Sequence, residues 1–115
     1  MDFKIEKFKE LLEELLDEEL EFSIDESDVD QIKFYFENDS IDLLISTQDD
    51  TFKILEIKSK ITGEGIGSKI YNLIEQFCTT QGYHQIIADK VFDSATDFWE
   101  KHGFERDNEN YIKYL

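Results

Sequence analysis

The stretch of sequence that most constrains the fold is a glycine-rich segment, residues 61–71, which reads ITGEGIGSKIY. Glycine occupies every second position in its middle, at Gly63, Gly65 and Gly67. Apolar residues at 52–57 precede it and are typical of a strand. The residues that follow are apolar at the spacing of one helix face, namely Ile66, Ile70, Leu73, Ile74, Phe77 and Cys78. The segment is therefore predicted to be a turn that carries the chain from a strand into an α-helix.

Such a turn is suited to binding an anion. Glycine adopts positive φ angles without steric cost and has no Cβ, so its backbone N–H groups can face inward and a ligand can approach closely. A helix N-terminus adds N–H groups without intrahelical partners, together with a partial positive charge. The turn and the helix end together predict an anion site, most often for phosphate.

Two common phosphate-binding motifs do not fit this segment. A nucleotide P-loop has four residues between its glycines and ends in Gly-Lys-Ser/Thr, whereas residues 67–69 read Gly-Ser-Lys. A dinucleotide-binding fold would require a βαβ unit at this point. The segments before the glycine turn instead predict consecutive strands joined by short turns.

The first half of the chain predicts one helix and a series of strands. Residues 3–20 place Ile5, Phe8, Leu12 and Leu15 along one helical face. Four segments with apolar–polar alternation follow, at 22–24, 31–37, 41–45 and 52–58. Asn, Asp and Ser residues separate most of them, as in an antiparallel meander.

The second half predicts helices and strands in alternation. The helix after the glycine turn ends at Gly82, which is suited to a left-handed C-cap. A short strand over 84–91 follows, and then a helix that is capped by Asp93 or Ser94 and ends near His102. Two final strands are predicted at 104–107 and 111–114.

The predicted order of elements, α-β-β-β-β-α-β-α-β-β, defines the fold class. It indicates a single α/β (α+β) domain over residues 1–115, with a mixed, mostly antiparallel sheet flanked by helices. A chain of 115 residues is the size of one domain.

The net charge of −16 is concentrated in the first half of the chain. Residues 1–50 hold 18 of the 28 acidic side chains and 4 of the 12 basic ones. An acidic surface repels phosphates, which argues against direct nucleic-acid binding. It is interpreted either as a solvated surface or as a surface that faces a basic partner.

The sequence gives no indication of secretion, membrane insertion or metal binding. Its N-terminus is heavily charged, and no apolar run approaches the roughly 20 residues of a membrane span. We expect a cytoplasmic protein, monomeric or homodimeric, whose single cysteine, Cys78, lies in the core. His84 and His102 lack the spacing of metal ligands and are expected to be structural.

Two blocks of the sequence resemble the GNAT superfamily of N-acetyltransferases. The first, TGEGIG at residues 62–67, is similar to the family's acyl-CoA signature, Arg/Gln-x-x-Gly-x-Gly/Ala. The second, at residues 95–104, is similar to Ala-x-x-Phe/Leu-Tyr-x-x-x-Gly-Phe. The resemblance covers residues 41–115, the acyl-CoA-binding part, and leaves residues 1–40 as a divergent acidic part.

The resemblance implies that acetyl-CoA is the co-substrate. Its pyrophosphate would bind to the glycine turn and the helix N-terminus, and its pantetheine arm would follow the preceding strand, where two parallel strands part. The N–H group of Ile57 would polarise the thioester carbonyl, and nearby lysines, including Lys60, would offset the charge. The implied cofactor-binding residues are Leu55, Ile57, Lys58, Gly63, Glu64, Gly65, Gly67, Ser68 and Lys69.

The resemblance also implies direct attack by an amine, helped by a base and often by a tyrosine that protonates the leaving thiolate. We take Glu56 as the candidate base and Tyr111 as the candidate acid. Several alternatives remain open at this level: Asp49, Asp50, Asp89 or a water-relayed base, and Tyr71, Tyr83 or no acid at all.

Three residues depart from the family pattern. Thr62 replaces the signature Arg or Gln, Glu64 brings a carboxylate next to the phosphate site, and Trp99 replaces the usual tyrosine. Two functions are therefore considered. The first is an N-acetyltransferase acting on a protein lysine or a small polyamine. The second is a catalytically inactive, acidic interaction module that binds a basic protein, including one that normally binds nucleic acid.

Overall fold

The computed structural model describes residues 3–28, 30–61, 63–89 and 95–115. Within them the chain forms α1 (Phe3–Leu16), β1 (Glu21–Asp25), β2 (Ile32–Glu37), β3 (Ile41–Gln48), β4 (Thr51–Ser59), α2 (Ile66–Gln81), β5 (Gln85–Ala88), α3 (Thr96–Lys101), β6 (Glu105–Asp107) and β7 (Asn110–Tyr114). The predicted order of helices and strands is confirmed.

The strands of the described residues form one seven-stranded sheet in the order β1-β2-β3-β4-β5-β7-β6. Neighbouring strands are antiparallel except β4 and β5, which run parallel. A parallel pair needs a crossover connection, and α2 provides it. The predicted mixed, mostly antiparallel sheet is therefore confirmed.

Phenylalanine side chains join the first two helices to the sheet. Phe8 of α1 is fully buried, and its ring centroid lies 5.5 Å from that of Phe36, 5.9 Å from Phe52 and 5.1 Å from Phe77. Phe36 and Phe52 belong to the sheet and Phe77 to α2. Helices α1 and α2 therefore pack together on one face of the sheet.

A second aromatic group holds α3 in place. Trp99 is buried, and its ring centroid lies 6.0 Å from that of Tyr71 on α2 and 5.0 Å from that of Phe104. Because Tyr71 is itself buried in the core, this contact fixes α3 beside the first turns of α2.

Helix α1 ends at Leu16, so the predicted continuation to residue 20 is wrong. Asp17 adopts a left-handed conformation, with φ at 54°, which ends the helix. Acidic residues in this region oppose the helix dipole, and the last turn holds no basic residue. The carboxylate of Glu13 instead accepts a hydrogen bond from the Leu20 N–H at 2.9 Å.

No described helix is long and apolar enough to cross a bilayer.

The other helix boundaries agree with the sequence where the structure describes them. Gly82 has a φ of 84° and caps the C-terminus of α2, as predicted. Helix α3 begins at Thr96, and the predicted caps Asp93 and Ser94 lie outside the described residues. Position 62 of the signature also lies outside them.

We expect Phe8→Ala to lower the free energy of unfolding by about 3–5 kcal/mol, because it removes a ring that contacts three others in a closed core. Leu15→Ala on the same helix is the matched control, since Leu15 is 40% exposed, and it should change stability much less. Urea denaturation measures both. Equal losses for the two variants would contradict this description of the core.

Candidate functional site

A β-bulge interrupts strand β4. Its pairing with β3 sets Ile54 opposite Ile45 and Glu56 opposite Leu44, so Leu55 is an extra residue without a partner on β3. A bulge of this kind bends the strand and increases its local twist. Sequence reasoning missed it, although the apolar pattern shifts there from residues 52 and 54 to residues 55 and 57.

Strands β4 and β5 part at the bulge. They pair in parallel over four positions, from Thr51 opposite Gln85 to Ile54 opposite Ala88. One further hydrogen bond joins the Asp89 N–H to the Ile54 carbonyl at 3.0 Å. Strand β4 then continues beside β3, whereas β5 ends, and a gap opens between them.

A cleft of about 340 Å³ occupies this gap. Among the described residues it is lined by Ile54, Leu55, Glu56, Ile57, Gly67, Ala88, Asp89, Ala95, Phe98 and Trp99. Its walls are therefore the bulged part of β4, the end of β5, the first turn of α2 and one side of α3. Most of them are apolar, with two carboxylates.

The N-terminus of α2 reaches the cleft. Gly65, its N-cap residue, has φ 66° and ψ 26°, and no side chain of a described residue caps the helix there. The Lys69 N–H donates to the Gly65 carbonyl at 3.1 Å. The N–H groups of Ile66, Gly67 and Ser68 precede that bond and have no intrahelical acceptor. This end of the helix therefore offers several donors and a partial positive charge.

The three glycines of the turn are needed for different reasons. Gly63 and Gly65 have φ angles of +83° and +66°, which side chains rarely adopt. Gly67 has no such requirement, and a Cβ on it would lie 3.6 Å from the Phe98 ring, an ordinary contact. Neither backbone nor packing explains Gly67. Without a side chain at position 67, this wall of the cleft is open to close approach.

The lysines near the turn fall into two groups. Lys60 is already paired, with its Nζ 3.2 Å from the Asp42 carboxylate and 2.7 Å from the Asn38 carbonyl. Lys58 and Lys69 are exposed and make no hydrogen bond or ion pair with any described residue. Of the three lysines considered, two therefore have no partner among the described residues and are available to an anion.

Four carboxylates were candidate bases, and the structure separates them. Glu56 and Asp89 both line the cleft, one from each of the parting strands. Asp49 and Asp50 lie in the turn before β4, at its other end, and the Asp50 carboxylate is 3.0 Å from the His84 Nδ1 atom. The base assignment to Glu56 stays a prediction, with Asp89 as the neighbouring alternative.

The three candidate tyrosines are absent from the described lining of the cleft. The Tyr111 hydroxyl donates to the Glu100 carboxylate at 3.2 Å, and the Tyr71 hydroxyl donates to Glu75 at 3.3 Å. Burial and these carboxylates raise the pKa of both tyrosines. Tyr83 is buried in the core beside Phe52. The role of Tyr111 as the acid stays a prediction. In the structure its hydroxyl contacts Glu100 of α3 and does not line the described part of the cleft.

A contact that the sequence did not predict joins α3 to the first turn of α2. The Ser68 Oγ lies 3.3 Å from the His102 Nε2. Partial burial, together with Lys101 and Lys113, lowers the pKa of His102, so its ring is neutral at pH 7. Burial raises the pKa of Cys78, which lies in the core as predicted. Within the described ranges, no three His, Cys, Asp or Glu side chains cluster as metal ligands would.

The parted strands, the uncapped helix and the glycine turn match one known class of protein. A family model described as "Acetyltransferase (GNAT) domain" matches residues 2–114. The chain therefore belongs to the GNAT acetyltransferase family, whose chemistry is acyl transfer, and the resemblance seen in the sequence is confirmed. No curated protein sequence matches the chain.

Solved structures share the fold at low sequence identity. An Elp3 from the archaeon Methanocaldococcus infernus, with an N-terminal deletion, gives a TM-score of 0.65 at 13% identity. The match covers 84% of this chain and 30% of that one, so the chain spans less than a third of that relative. A proposed acetyltransferase from Agrobacterium tumefaciens gives 0.61 at 16% identity, covering 100% of this chain and 94% of that one.

A third structure, PaiA N-acetyltransferase from Thermoplasma acidophilum, was solved in complex with coenzyme A. Its TM-score is 0.54 at 16% identity, and the match covers 72% of this chain and 58% of that one. Identities this low show a shared fold alone.

The different needs of the glycines predict opposite effects on stability. Gly65→Ala should lower the free energy of unfolding by about 1–2 kcal/mol, because alanine is strained at positive φ. Gly67→Ala should keep it unchanged or raise it by up to about 1 kcal/mol, since alanine favours a helix. Thermal denaturation without ligand compares them. A large loss for Gly67→Ala would mean that packing, not a ligand, requires this glycine.

Proposed function

We propose that this protein is an N-acetyltransferase that moves the acetyl group of acetyl-CoA to a primary amine. One observation carries the proposal: the uncapped N-terminus of α2 and the parting of β4 from β5 meet in a single cleft. The first provides donors for phosphate, and the second provides an apolar gap for a thioester. Membership of the acetyltransferase family supports the same chemistry.

In this proposal the donor's diphosphate binds to the N–H groups at 66–68 and to the glycine turn. Lys58 and Lys69, which pair with no described residue, offset its charge, whereas Lys60 is held by Asp42. The Gly67 wall of the cleft leaves space for that approach. The carboxylate of Glu64 is exposed and can turn to solvent, which limits its repulsion of the phosphate.

The acetyl group and the acceptor amine meet where β4 and β5 part. Glu56 or Asp89 takes a proton from the ammonium group, and the free amine attacks the thioester carbonyl carbon. A C–N bond forms, the C–S bond breaks, and the electron pair leaves on sulfur as a thiolate. A thiol has a pKa of about 8.5, so the thiolate leaves without a tyrosine acid. The attacking nitrogen loses its second proton as the amide forms, the thiolate takes up that proton through solvent, and the carboxylate releases the first proton to solvent.

The acceptor is a cationic amine, such as a lysine side chain or a polyamine. Two carboxylates stand at the cleft, and most of the protein's −16 charge is on residues 1–50. A strongly negative protein attracts cations over a distance of about a Debye length and raises their encounter rate.

The binding step is tested by calorimetry with acetyl-CoA and with CoA at physiological salt. We expect dissociation constants in the micromolar range, as for a typical cofactor. Gly67→Ala should weaken binding about tenfold or more, because its methyl group occupies the approach to the α2 amides. Asn72→Ala is the matched control, since it puts alanine at an exposed position of the same helix. No binding at millimolar cofactor would exclude the proposed enzyme.

The catalytic step is tested by measuring CoA thiol release with spermidine and with a lysine peptide. Glu56→Gln and Asp89→Asn are measured separately. The variant that removes the base should lower kcat by about 100-fold or more, and the variant that removes the other carboxylate should lower it less. Asp49→Asn is the control, because Asp49 lies at the other end of β4 in a left-handed conformation that asparagine tolerates. Full activity in both cleft variants would overturn the assignment of a carboxylate base.

A second candidate is the acidic interaction module without catalysis. It is favoured by one observation, that Trp99 lines the cleft where the family usually has tyrosine and Tyr111 is engaged with Glu100. The same two assays separate the candidates. CoA binding without thiol release for any amine would favour the module, and turnover would exclude it.

A further inference from the structure

His102 is a polar side chain beside the cleft that the proposed reaction does not use. It follows the last residue of α3, and its Nε2 lies 3.3 Å from the Oγ of Ser68. Ser68 stands in the first turn of α2, where the N–H groups are free for an anion. The imidazole therefore contacts the proposed phosphate site through one intervening hydroxyl.

The ring of His102 is held in a fixed position. Its centroid lies 4.6 Å from that of Tyr71 and 4.9 Å from that of Phe98. Its carbonyl accepts a hydrogen bond from the Lys113 Nζ at 2.7 Å, and Lys113 is in turn paired with Glu75. Backbone and ring are thus both fixed, and the Nε2 atom is aimed at Ser68.

The protonation state of His102 decides which way the Ser68 hydroxyl points. A neutral imidazole has one N–H, on either nitrogen. When Nε2 is bare, the Ser68 hydroxyl donates to it. When Nε2 carries the hydrogen, the imidazole donates to Oγ and the hydroxyl hydrogen is free to face a phosphate oxygen. A bound anion favours this second arrangement, because it needs the donor.

We propose that His102 is a positioning residue for the phosphate site: it donates to the Ser68 Oγ and thereby turns the Ser68 hydroxyl towards the diphosphate of the bound CoA. The inference rests on the proposed function, because it needs a phosphate at the N-terminus of α2. It adds a residue 34 positions away from Ser68 to the site.

The same geometry couples binding to pH. The charged groups that face His102 are Lys101 on α3, Lys113 on β7 and Glu75 on α2, and the two lysines together with burial hold its pKa below 6.5 in the free protein. A bound diphosphate near Ser68 favours the imidazolium ion and raises that pKa. Binding then takes up a proton, so affinity increases as the pH falls through the raised pKa of the bound state. Each unit by which the ligand raises the pKa gives a tenfold gain at low pH.

A double-mutant cycle tests whether His102 acts through Ser68. CoA binding at pH 7.5 is measured by calorimetry for His102→Phe, Ser68→Ala and the double variant. Phenylalanine keeps a ring beside Tyr71 and Phe98 but removes the hydrogen bond. Each single variant should bind CoA about threefold to tenfold more weakly, and the double variant no more weakly than Ser68→Ala. Additive losses, or no loss in His102→Phe, would overturn the proposal.

A pH series provides the readout that a purely structural role would not change. The probe is dephospho-CoA, because it lacks the 3′-phosphate whose own ionisation, at a pKa of about 6, would obscure the result. Wild type should bind it more tightly at pH 5.5 than at pH 8, with affinity level at the alkaline end of the series. In His102→Gln, whose amide keeps a donor without titrating, the slope should be lost. His84→Gln, at the exposed second histidine, should keep the wild-type slope.

The two proposals fail in different ways. If wild type binds neither CoA nor dephospho-CoA, the proposed function is wrong. If wild type binds both, but His102→Gln keeps the wild-type pH slope, only the role of His102 is wrong. An unchanged melting temperature in the His102 variants shows that a loss of affinity is not a loss of fold.

Discussion

The hydrogen-bond ladder between β4 and β5 ends at Ile54 and Ala88, and the candidate site depends on that end. Up to this point the two strands form an ordinary parallel pair, closed by the bond from the Asp89 N–H. Beyond it, the Leu55 bulge turns β4 away while it keeps its partner β3. Strand β4 keeps its position beyond this point because it stays paired with β3 as far as Ser59, and the backbone groups on its other edge are available to a ligand. The fold therefore makes an opening in the middle of its sheet without exposing the core.

The helices fix the position of this opening relative to the glycine turn. Phe77 of α2 packs under Phe8 and Phe52, so the same strand that carries the bulge also anchors the helix whose N-terminus faces the cleft. Near the N-terminus of α2, Tyr71 contacts Trp99 and His102, and this places α3 as the far wall of the cleft. The distance between the anion site and the parted strands is thus set by aromatic packing, which resists deformation.

The sequence predicted those parts that local chemistry determines. The apolar spacing after Gly65 and the alternation around Phe34 and Phe36 specify helix and strands, and Gly82 ends α2 because its φ is positive. The end of α1 was not predicted, because the acidic and apolar pattern is still typical of a helix beyond Leu16. The left-handed conformation of Asp17 ends the helix there. That Glu56 and Asp89 line one cleft, and that Ser68 contacts His102, depends on tertiary packing between distant segments. No spacing along the chain encodes either arrangement. The bulge is the exception, because the shift in the apolar–polar alternation around Leu55 indicates it locally.

A protein with a net charge of −16 faces an apparent conflict if its ligand is a polyanion. The charge is uneven, and this uneven placement resolves the conflict. Residues 51–115, which build the cleft, hold 10 of the acidic and 8 of the basic side chains, so this part of the chain is close to neutral. Surface charges farther away than about 8 Å are largely screened at physiological salt, whereas N–H donors act at contact distance. A glycine turn and a helix end offer backbone donors to an anion and so require no basic surface. The proposed cofactor site is therefore compatible with a strongly acidic first half of the chain.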